Sequence, residues 1–109
     1  MKSNGMPDET QAGKALDYLH DSEHEYAVAY ARKEAMEQAL KIAKDTGFLA
    51  SEGTVAERQA MAGTSKEYVQ AVENLESAYV DLELIKAKRQ RAVLTIECWR
   101  TIEASRRRS

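Results

Sequence analysis

From Ser65 to Arg106 the chain contains no Gly, no Pro and no cluster of turn residues. Alternating steps of three and four through this segment read Tyr68, Ala71, Leu75, Ala78, Leu82, Ile85, Arg89, Ala92, Ile96 and Trp99. Only Arg89 interrupts an apolar seam of this length, and a 3–4 repeat held over so many turns predicts one long helix with coiled-coil-like packing. Val72, Tyr79 and Val93 widen the stripe on one flank, as expected of a helix with more than one neighbour. Some 40 residues at 1.5 Å each give a helix of about 60 Å.

A partner helix precedes it. Leu19, Tyr26 and Leu40, with Ala29, Met36 and Ala43 between them, make one seam that Lys33 interrupts. Val28, Ala31, Ala35, Ala39 and Ile42 make a second. Alanines on both helices allow close backbone approach, toward the short end of the usual 8–10 Å.

Cap signals place the boundaries. Ser22 with Glu25, Thr54 with Glu57 and Thr64 with Glu67 each have capping-box spacing. Pro7 suits a first helical position, followed by Asp8 and Glu9 at the positive end of the dipole. Gly47 suits the C′ position of the first long helix, and Gly63 the end of a short one over "VAERQAMA". The expected fold is all-α: one domain over residues 1–109, an antiparallel helical hairpin with a short linking helix in 47–64 and a long C-terminal helix. Residues 1–6 are expected to be flexible.

The two arms differ in length. From Ser22 to Thr46 is about 37 Å, so a hairpin closed near the connection brings Ser22 to the level of Ala87–Gln90. Leu94, Ile96, Cys98, Trp99 and Ile102 then need a cover, since contiguous apolar patches are rarely left bare. The candidates are Pro7–His20, a second copy of the chain, or a foreign partner.

Charge is unevenly placed. Residues 86–109 hold eight Lys and Arg against two Glu, a net +6, whereas the preceding 85 residues carry −8. Such polarity marks an interaction tail or antiparallel packing of a basic end beside an acidic one. One Cys excludes an internal disulfide, and a reducing compartment is expected. No signal-peptide core or bilayer-length apolar run occurs, so no membrane association is expected and the cytoplasm is the expected compartment.

Catalytic chemistry finds little to stand on. His20 and His24, four residues apart with Asp17 a turn earlier, have the spacing of zinc ligands, yet no second cluster accompanies them and a solvated face explains them better. Cys98 lacks a partner histidine, and no P-loop, dinucleotide fingerprint or nucleophile elbow is present. Neither an enzyme, a cofactor nor a metal is expected. Ile96, Trp99, Arg100 and Ile102 are the candidate partner-binding residues, because Trp and Arg dominate binding hot spots. Lys86, Lys88, Arg89, Arg91, Arg106, Arg107 and Arg108 are candidate phosphate contacts, the alternative being a nucleic-acid accessory role.

The run "LIKAKRQRAVLTIECWRT…ASRRRS" resembles the C-terminal helix of short helical proteins from early and recombination gene modules of tailed phages. Lys86, Arg89, Ile96, Glu97, Trp99 and Arg100 carry the likeness. It implies a phage or prophage accessory protein acting inside a bacterium, and no catalytic residues; small helical phage proteins also include host-system inhibitors, though no motif here selects that role. Binding of a protein partner and self-association are expected on other grounds, from the apolar overhang that carries Ile96, Trp99 and Ile102.

Overall fold

A computed structural model describes residues 5–108, so the expectation of a flexible start falls, for residues 1–4, outside the described residues. The fold is an all-α antiparallel hairpin. Its elements are α1 (Glu9–Asp21), α2 (Glu23–Ala50), the short linking helix α3 (Val55–Thr64) and α4 (Lys66–Arg108). No strand occurs among the described residues.

Of the expected caps, Thr54 with Glu57 forms as read, while the other helix ends use different residues. Pro7 precedes the cap. Asp8 is the N-cap of α1, taking the Gln11 amide at 2.9 Å while its own amide donates to Gln11 Oε1 at 2.9 Å. Gln had served the box as well as Glu would. Ser22 does separate α1 from α2, but its hydroxyl is turned elsewhere instead of capping α2, and backbone bonds from Ser22 to Tyr18 and from Tyr26 to Ser22 (2.9 Å each) carry the ladder across the junction. Thr54 caps α3 through the Glu57 amide at 3.1 Å. The α4 cap is Ser65, whose Oγ takes the Tyr68 amide at 3.1 Å; the Thr64 hydroxyl donates back to Ala60 and Met61 within α3.

Gly47 does not end α2, which runs on to Ala50. Its missing side chain serves packing: a Cβ there would lie 3.1 Å from Ala62 Cα on α3. Ser51 terminates the helix instead, its hydroxyl donating to Gly47 O at 2.7 Å. Gly53 then turns the chain with φ +113, a conformation that side chains disfavour. Gly63 likewise lies within α3.

Packing divides the chain into two compact units, Val28–Glu83 and the remainder, which joins the chain up to Ala27 with that from Leu84 onward. In the unit Val28–Glu83 the predicted seams meet: Ala29, Ala71, Ala78 and Leu82 are buried, as is Ala62 of α3, which packs at Gly47. The second predicted seam of α2 faces outward, leaving Val28 and Ile42 exposed, with Leu49 in line beyond them. Between the helices, Arg32 pairs with Asp81 at 2.7 Å and the Tyr79 hydroxyl donates to Glu37 at 2.9 Å.

Lys33, the interruption in the α2 seam, is only 14% exposed in its side chain and lies 3.5 Å from Glu37, with its ammonium over the rings of Tyr30 and Tyr79. Desolvation pulls the Lys33 pKa down, but Glu34 and Glu37 outweigh it and hold the value above that of an ordinary lysine. The Tyr79 hydrogen bond, followed by Glu34 and Lys33, holds the Glu37 carboxyl below the usual range against its own partial desolvation. The same hydrogen bond to Glu37 raises the Tyr79 phenol.

In the other unit α1 runs antiparallel to the C-terminal part of α4. Pro7, Asp8 and Glu9 lie near Trp99, Ile102 and Arg106, while Leu19 lies near Arg89. Ala12 and Ala92 are buried, and Ser22 is 2% exposed. The segment expected to overhang therefore has an intramolecular cover in α1.

Candidate functional site

The expected contact residues fall into distinct environments. Ile96, Trp99 and Ile102 are half-buried; Trp99 and Ile102 share a small cavity of about 110 Å³ with Pro7, Asp8 and Glu9. Arg100 is exposed. The three apolar side chains thus belong partly to the chain's own packing.

Arg89 is turned inward. One guanidinium nitrogen donates to Leu19 O at 2.9 Å and to Ser22 Oγ at 2.6 Å, and the group stacks over the Tyr26 ring, 5.1 Å from its centre. The position places a cation at the C-terminal end of α1, where the helix dipole favours it. A residue occupied in this way is removed from the set of candidate phosphate contacts. Arg106 is engaged with Glu103 at 3.0 Å, whereas Arg107 and Arg108 are exposed at the end of α4.

Lys88 and Arg91 belong to another feature. They border an open groove of about 680 Å³ between α1 and α4. Lys14, Ala15 and Tyr18 line it from α1, and Ala92, Leu94, Thr95 and Cys98 from α4. Leu94 is 55% exposed, and Leu84 one stripe further up α4 is 57% exposed. Lys14, Lys88 and Arg91 form no ion pair among the described residues. Cys98 is a half-buried free thiol in this wall.

The groove was not among the sequence-predicted sites. Its signal was present: Leu84, Ala87, Arg91, Leu94 and Cys98 follow steps of three and four on a second face of α4, and Gln11, Lys14 or Ala15, and Tyr18 do so on α1. The stronger seam through Ala92 and Ile96 masked it.

Asp17, His20 and His24 are exposed, and no group of three His, Cys, Asp or Glu able to hold a metal exists among the described residues. No helix of the described residues is long and apolar enough to cross a membrane. No protein-family model matches the chain, and no curated protein or solved structure matches it significantly.

Proposed function

We propose that this chain is a protein-binding module, an accessory or host-system inhibitor of phage or prophage type, that engages a protein partner through its C-terminal helix. The observation that carries the reading is the open apolar groove on α4, bordered by cations without an internal counter-charge. Apolar surface flanked by unpaired charge suits a partner that supplies both contacts. The phage setting rests on the likeness of the C-terminal helix described above. The outward seam of α2, with Val28, Ile42 and Leu49 exposed, supports self-association.

Arg107 and Arg108, exposed at the end of α4, favour the second reading, a nucleic-acid accessory of recombination or replication. Affinity capture from infected or lysogenic bacterial cells, with and without nuclease, separates the two. A partner retained after nuclease, and lost on Leu94→Glu or Trp99→Ala, supports the protein-binding reading. Capture that depends on nucleic acid and fails in the joint replacement of Arg106, Arg107 and Arg108 overturns it.

A further inference from the structure

The groove between α1 and α4 has a chemistry that selects among protein partners. Its lining includes the apolar Ala15, Tyr18, Ala92 and Leu94, and it carries Lys14 on one helix and Lys88 and Arg91 on the other, with no carboxylate among the lining residues. None of these three cations is neutralised by a carboxylate among the described residues. Arg32, Lys33 and Arg106, by contrast, are each paired with a carboxylate of the chain itself. Two neighbouring helices with an apolar furrow between them accept a third helix by ridge-into-groove packing, read by its partner as anchors at i, i+3, i+4 and i+7.

Resting on the protein-binding reading above, we propose that this groove docks an acidic amphipathic helix of a partner protein. The incoming helix places its apolar stripe against Tyr18, Leu94 and Cys98. Its Asp or Glu flanks reach Lys14 on one side and Lys88 and Arg91 on the other. Charge at the rim of such an interface sets partner choice and association rate, while the apolar stripe sets residence. A cationic helix with the same stripe meets three like charges and is rejected.

The test uses the full chain, isotope-labelled for NMR, and three probes. One is a designed helical peptide with leucines at i, i+3, i+4 and i+7 and glutamates on both flanks. The second carries lysines in place of those glutamates, and the third is a single-stranded oligonucleotide. The expected result is saturable binding of the glutamate peptide alone, with amide shifts at residues 11–18 and 88–98. Lys88→Glu combined with Arg91→Glu weakens it by about tenfold or more and admits the lysine peptide. Leu94→Glu abolishes it with circular dichroism unchanged, since Leu94 is exposed.

Equal binding of both peptides, binding of neither, or oligonucleotide binding at the same amides overturns the proposal. So does the appearance of those shifts on raising protein concentration alone, which would identify a second copy as the occupant. If the peptides fail while the intact chain still captures a nuclease-resistant partner, only the groove assignment falls and the binding-module reading stands.

Discussion

Arg89 offers the sharpest test of how the chain is held together. Its guanidinium makes two hydrogen bonds, to a helix-end carbonyl and to the hydroxyl of Ser22, and lies over the Tyr26 ring. Hydrogen bonds that involve a charged group contribute about 1.5–3 kcal/mol each, net of exchange with water. Both bonds leave from one nitrogen and the group is half-buried, so Arg89→Met, which keeps the stem but removes donors and charge, is expected to cost about 2–4 kcal/mol. Part of that arises from Ser22, 2% exposed, whose hydroxyl keeps only a long 3.5 Å contact to Leu19 O. At about 4–8 °C per kcal/mol for a domain near this size, the thermal midpoint should fall by roughly 8–30 °C. Urea titration followed at 222 nm gives the free energy. Hydrogen exchange gives the location, with lost protection centred on residues 19–26. An Arg89→Met chain as stable as the parent would refute the assignment, as would destabilisation spread evenly over all four helices.

Gly47→Leu should destabilise by about 1–3 kcal/mol in the same titration, because the Cβ position already lies 3.1 Å from Ala62 Cα and the gain in helix propensity is only about 1 kcal/mol. Unchanged stability would show that α3 is free to move away. The depressed Glu37 carboxyl contributes stability that is full above the ordinary glutamate range and is lost as pH falls through its lower folded value. The stability difference between parent and Glu37→Gln should therefore be constant near neutrality and shrink below about pH 4.3; a difference that grows with acidification contradicts the Tyr79–Glu37 pairing. Ile42→Lys with Leu49→Lys should lower the mass seen by light scattering while leaving helicity unchanged, and a self-associated state indifferent to both would clear the outer face of α2.

Periodicity made the hairpin and its register legible in advance. Steps of three and four found both inner seams, and an arm-length argument placed Ser22 opposite residues 87–90, where Arg89 in fact bonds it. What sequence did not reveal was the use of each interruption. Arg89 read as a break in the stripe and as a phosphate contact, but a long flexible cation can turn across the seam to a carbonyl that only the folded backbone exposes. Caps were displaced for a related reason. Ser65 and Thr64 are chemically alike neighbours, and spacing alone does not say that Thr64 bonds back into α3 while Ser65 caps α4. Gly47 read as a terminator because spacing along one helix carries no information about Ala62 on another. The groove escaped because its two walls lie far apart in the chain, each with a weaker repeat than the seam beside it.

Among the described residues the buried apolar set is Ala12, Ala29, Ala62, Ala71, Ala78, Leu82 and Ala92, and no large side chain is fully enclosed. Alanine brings backbones together but removes little hydrocarbon from water, so unfolding exposes less new apolar surface than the chain length suggests. The heat-capacity increment follows that surface, at about 0.45 cal/mol/K per Å² of apolar area. It should therefore lie below the roughly 12–15 cal/mol/K per residue of ordinary globular domains. A small increment flattens the curve of stability against temperature. Such a molecule neither gains much on cooling nor collapses steeply on heating, and its calorimetric transition should be broad and shallow.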